Sequence, residues 1–155
     1  MSEQGFTLTS PAFVPDGMIP PVFTCDGDNT SPELKWVHPP DAVRSFALIV
    51  DDPDAPRGTF THWVLFDIPA ATNRLPSAAR GVGVEGRNDF QHDGYGGPCP
   101  PPNHGQHRYD FRLFALDIET LHLKTGASRA EVEKAIQGHI LDQAELMGRY
   151  ERTTG

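Results

Sequence analysis

The chain has 155 residues, which fits one domain spanning 1–155 with a buried core. Hydrophobic residues make up 37% of it, an ordinary globular fraction, and glycine and proline together account for 30 positions, which predicts a turn-rich body of strands rather than a helical bundle. The formal net charge of −8 disfavours nucleic acid and anionic membrane surfaces as partners, though not a small buried anion site.

The N-terminus, MSEQGFTLTS, has neither a basic segment nor an apolar run, and no span of about 20 apolar residues follows. The expectation is a cytoplasmic protein with no integral membrane contact. Weak strand candidates lie at 6–8, 21–24 and 34–37. Ser45 to Asp52 (SFALIVDD) reads as a central strand: Phe46, Leu48, Val50 and Asp52 share one face, and Ala47, Ile49 and Asp51 the other. His62 to Ile68 is the next strand, ended by Pro69, with His62, Val64, Phe66 and Ile68 on one face. Tyr109 to Asp117 is the third strong strand. If it begins at His107, then His107, Tyr109, Phe111 and Leu113 point one way and Arg108 the other. Ser128 followed by Glu131 is a capping box, and Val132, Ile136, Ile140 and Met147 form a stripe, which predicts a helix from about Arg129 to about Tyr150. Gly138 falls inside it, at a cost of roughly 1 kcal/mol relative to alanine.

Polar groups stand out against this pattern. Asp52, His62, His107 and Tyr109 each sit at a strand end on an apolar face, where burial is costly unless they are paired. Four such groups predict one shared pocket. The turn Pro53-Asp54-Ala55-Pro56 adds Asp54 to its rim, and Arg108 is expected to form an ion pair with an aspartate of that turn. The proline- and glycine-rich stretch GYGGPCPPPNHGQ (94–106) runs straight into His107, with His92 and His104 read as loop residues.

Metal spacings such as H-E-x-x-H are absent, as are G-x-S-x-G, a Walker loop and the dinucleotide fingerprint, so no metal or cofactor is expected. Cys99 is the one nucleophile candidate. With only two cysteines and no targeting segment, Cys25 and Cys99 are expected to be reduced thiols. A small anion fits best. Histidine donates hydrogen bonds in either charge state, tyrosine offers a hydroxyl, and a glycine-rich turn can aim backbone N–H groups at an oxyanion.

DPDAP (52–56), HW (62–63) and GYGGPCPP followed by HRYDFRLFALD, with CDGDNTSPELKW (25–36) and GHILDQAELMGRYER (138–152), together resemble the phosphatidylethanolamine-binding protein (PEBP) family, in its bacterial Raf kinase inhibitor-like branch. The resemblance implies a mostly-β sandwich: a large central antiparallel sheet, a smaller packed sheet and a C-terminal α-helix. It also implies a pocket for phosphate, phosphorylethanolamine or similar anions. Carried over by motif, the ligand-binding residues are Asp52, Asp54, His62, His107 and Tyr109, with Gly97, Pro98, Pro100 and Pro101 as the wall. A cis bond at Ala55–Pro56 and a homodimer are further implications. The function expected is a non-enzymatic anion-binding and regulatory module. The alternatives are a hydrolase using the Asp/His pocket, or a kinase or protease inhibitor acting by protein docking.

Overall fold

The computed structural model describes residues 5–153. Eight strands and one helix follow in chain order: β1 (Thr7–Thr9), β2 (Leu34–Val37), β3 (Ser45–Asp52), β4 (Phe60–Pro69), β5 (Arg74–Leu75), β6 (Val84–Glu85), β7 (His107–Leu116), α1 (Arg129–Ile136) and β8 (Ile140–Tyr150). Five strands form the large antiparallel sheet in the order β6-β4-β3-β7-β8, and β1-β2-β5 form the small one. The mostly-β, two-sheet architecture expected from the sequence is therefore the architecture observed.

β3 is central because both of its faces are apolar and every one of its residues is buried. Its Phe46, Leu48 and Val50 pack with Trp36, Leu8 and Leu34 of the small sheet into the main core. Ala47 and Ile49 face a second core closed by Leu121, Val132 and Ile136. Asp51, on that second face, accepts from Arg112 of β7 and Arg129 of α1 and fastens the helix to the sheet. Burial pushes the Asp51 carboxyl up, against the pull of both guanidinium groups.

Three sequence expectations change. The segment 21–24 is no strand: Pro21–Phe23 is a 3₁₀ turn opened by Pro20 and Pro21. The long helix is in fact a short helix followed by a strand. The Ser128–Glu131 capping box is present with both of its hydrogen bonds. However, the chain turns at Gly138, whose φ of +83° ends the helical run. Beyond it, Ala144, Leu146, Gly148 and Tyr150 are buried at every second position along β7, a period of two that also satisfied part of a helical stripe. Finally, His62 does not share a face with Val64 and Phe66: it lies against Tyr109, in whose core Trp63, 1% exposed, is also packed.

The cause of that last change is a β-bulge. Val50 pairs with Trp63 but Asp51 pairs with Thr61, so His62 is the extra residue on β4. Strict alternation grouped His62 with Val64 and Phe66. The bulge instead turns it toward Asp52 and Tyr109.

Candidate functional site

The site lies where β3, β4 and β7 end together. Asp52 is the last residue of β3 and His107 the first of β7; His62 sits on the bulge, and Tyr109 is two residues along from His107. They line a cavity of about 200 Å³ with Ala55, Pro56, Phe60, Phe90, Cys99, Pro100 and Pro101. Six of the nine residues expected from the sequence thus border one cavity.

Asp52 is 3% exposed and both of its oxygens are engaged. Oδ2 accepts from His107 Nδ1 at 2.6 Å and Oδ1 from the Asp54 backbone N–H at 2.7 Å. A carboxylate accepts only, so Nδ1 of His107 carries the hydrogen. The other ring nitrogen, Nε2, lies 2.7 Å from Nδ1 of His104, and one proton is shared along that contact. Asp52, His107 and His104 form a continuous hydrogen-bonded row from the buried sheet end to the exposed loop. His104 was read from the sequence as a plain loop residue. Its neighbours Asn103 and Gly105 carry no pattern that would tie it to His107.

His62 is 3% exposed and enclosed by the rings of Phe60, Phe90 and Tyr109, with centroids 4.9, 5.4 and 5.2 Å away. Burial pushes its pKa down, more than the Gly96 hydrogen bond and the Asp52 charge raise it. The His62 imidazole is therefore neutral at pH 7. Its Nδ1 lies 2.7 Å from the Gly96 carbonyl, an acceptor, so Nδ1 holds the single hydrogen and Nε2 presents a lone pair. The Tyr109 hydroxyl is buried with no partner in good hydrogen-bond geometry, though the Asp52 carboxylate is near enough to act on it. Burial, and then the nearby Asp52 charge, push its phenol up, so it stays protonated.

The other expected site residues are placed differently. Asp54 does not line the cavity. Its carboxylate takes both the Nε and Nη2 of Arg108 and the Arg108 backbone N–H, and those bonds hold it at about 2. The expected ion pair is thus present, and it occupies the aspartate assigned to the rim. Gly97 and Pro98 lie outside the cavity lining, and the Gly97 N–H is taken by Asn29 Oδ1. A Cβ on Gly97 would fall 2.2 Å from the Phe23 carbonyl oxygen. Glycine is therefore required there to pack against the 23–29 loop, and the Gly96 and Gly97 N–H groups, bonded to the His62 carbonyl and to Asn29 Oδ1, are not free for an anion.

Cys25 and Cys99 form a disulfide, which corrects the expectation of two thiols and removes Cys99 as a nucleophile. Residue counts and compartment priors say nothing about two loops meeting, and here the Cys25 N–H also donates to the Pro98 carbonyl. Among the described residues there is no cis peptide, so Ala55–Pro56 is trans. No group of three or more His, Cys, Asp or Glu among them is arranged to hold a metal ion. No helix among them is long and apolar enough to cross a membrane.

A two-sheet body with a compact, largely apolar cavity at its strand ends, into which a few polar side chains are set, defines the class, and comparison with known proteins gives the family. The family model of phosphatidylethanolamine-binding protein matches residues 9–151. The chain is 52% identical over 139 residues to a UPF0098 protein of Aquifex aeolicus, covering 86% of this chain and 81% of that one. It superposes on the crystal structure of a PEBP homologue from Chlamydia trachomatis with a TM-score of 0.91 at 36% identity, covering 96% and 99% of the two chains. Escherichia coli YbcL, described as a member of the mammalian PEBP family, gives a TM-score of 0.89 at 34% identity over 94% and 98%. The chain belongs to the phosphatidylethanolamine-binding protein family.

Proposed function

We propose that this protein binds a small oxyanion, a phosphate or phosphomonoester such as phosphorylethanolamine, and acts as a regulatory module rather than as an enzyme. The observation that carries this reading is the Tyr109 hydroxyl, buried and unpartnered in the wall of a 200 Å³ cavity, beside the Asp52–His107 pair. A buried hydroxyl without a partner costs about 1–3 kcal/mol, and a ligand oxygen would recover it. Asp52 spends both oxygens on protein donors, so it orients the His107 ring instead of facing the ligand. A cavity of this size matches a small headgroup, and an acyl chain attached to one would lie outside it.

A hydrolase is less well supported. Among the residues lining the cavity there is no serine or threonine, and the one cysteine is oxidised. Kinase or protease inhibition through docking, and a homodimer, have no specific observation in their favour. A cytoplasmic setting, expected from the sequence, stands against the disulfide, since disulfides persist mainly in oxidising compartments.

Calorimetry with phosphorylethanolamine tests the reading. The expected result is binding by the native protein that weakens at least tenfold in His107→Ala and in His62→Ala, with melting curves showing both variants folded. Unchanged affinity in both would remove the pocket assignment.

A further inference from the structure

We propose that the cavity takes its anion together with a proton, as a protonated oxyacid such as the monoanion of a phosphomonoester, and that His62 is the residue that reads this proton. The inference rests on the anion-binding reading above and specifies which form of the ligand enters. It follows from the donor and acceptor inventory of the walls. His62 Nδ1 is committed to donating to Gly96, so the neutral ring offers the ligand only the Nε2 lone pair. Protonating that nitrogen is disfavoured because three aromatic rings exclude water around it.

An oxyanion without a hydrogen would meet the Nε2 lone pair with a lone pair of its own. An oxyanion that keeps one P–OH donates to it. One of the remaining oxygens then accepts from the Tyr109 hydroxyl, while His107 and His104 keep the proton they share between them. The same inventory disfavours sulfate-type anions, which are tetrahedral and similar in size but carry no hydrogen at neutral pH. A site with a fixed buried acceptor discriminates strongly against a ligand that leaves it unpaired.

The charged and titratable groups facing His62 are Asp52 from β3, Asp89 from the loop after β6, and His107 and Tyr109 from β7, with His104 behind His107. The two carboxylates favour proton retention by anything placed beside His62, the ligand included. Protonation of His107 or His104 would strengthen binding of every anion alike, so the pH dependence of one ligand cannot isolate the proton. A pair of ligands can do so.

Methyl phosphate and methyl sulfate form such a pair. Below the second phosphate pKa of about 6, both are monoanions of the same shape, differing by one hydrogen. Calorimetry on the full chain at pH 5.5 is expected to show methyl phosphate binding at least tenfold tighter than methyl sulfate. From pH 6.5 to 8 the ratio should fall as methyl phosphate loses its proton. Binding enthalpies in buffers of different ionisation heat should then reveal uptake of close to one proton per phosphate. His62→Gln, whose amide can donate as well as accept, is expected to reduce the pH 5.5 preference to under threefold.

Equal affinities for the two ligands at pH 5.5, or a ratio that does not change with pH, would overturn the proposal while leaving the anion pocket standing. Binding of neither ligand would overturn both. The comparison in the native protein does not depend on the variant folding.

Discussion

His62 shows how one extra residue changes the chemistry available to a strand. By alternation it belongs with Val64 and Phe66 in the second core, but the bulge between Thr61 and Trp63 delivers it to Asp52 and Tyr109. A bulge residue leaves no compositional mark, so the residues of this site were legible as a set, through their motifs, while the route that brings His62 to it was not. Its environment gives a stability prediction. Burial lowers the His62 pKa in the fold, so as pH falls through about 6.5 the unfolded chain takes up the proton first. Stability from this residue is complete above that pH and is lost below it, until the folded pKa is reached. Urea midpoints measured at pH 7.5, 6.5 and 5.5 should decline toward acid, and His62→Gln should flatten the decline. An unchanged slope in the variant would assign the effect elsewhere. Asp54 does not confuse the test, because its contribution is lost only as pH falls from the ordinary carboxylate value toward about 2.

At the scale of elements, the connection from α1 to β8 is where sequence pattern and structure part. The capping box and the apolar pair Val132 and Ile136 belong to a real helix, and the sequence read its start correctly. Its end was misread because Ile140 and Met147 continue a helical spacing by coincidence, while the alternation of Ala144, Leu146, Gly148 and Tyr150 becomes meaningful only once β7 is alongside. Nonlocal pairing is what decides such a segment, and no local propensity contains it. Gly138→Ala separates the two readings by sign. In a helix interior the change would stabilise by about 1 kcal/mol. At a φ of +83° it should instead destabilise by about 1–2 kcal/mol, read from chemical denaturation. The 94–106 loop carries a similar lesson. Its glycines were read as aiming backbone N–H groups at an anion, yet a Cβ at Gly96 or Gly97 would collide with Phe90 or with the Phe23 carbonyl, so glycine is there for reasons of packing.

For the whole molecule, the two sheets, their sandwich arrangement and four of the strand ends were legible because strongly apolar strands and family motifs both pointed to them. The disulfide was not, because it depends on two loops 74 residues apart arriving at one place. It links the 23–29 loop to the cavity wall, and removing it by Cys25→Ser with Cys99→Ser should cost roughly 2–4 kcal/mol by releasing the unfolded chain. Denaturation of the double variant under non-reducing conditions gives that figure directly. A loss below about 0.5 kcal/mol would mean the bond is not formed in the purified protein.

The bond also sets the covalent topology of the chain. Residues 25 to 99 form a closed ring that includes β2 through β6, whereas β7, α1 and β8 hang from it as a linear tail. A protease cut inside the ring, at exposed Arg57 or Arg80, opens a circle and yields a single molecule of unchanged size until reductant is added. A cut in the tail, at exposed Lys124, detaches α1 and β8 at once, with only the sheet to hold them. The same enzyme would therefore leave one half of this protein silently nicked and the other half visibly severed.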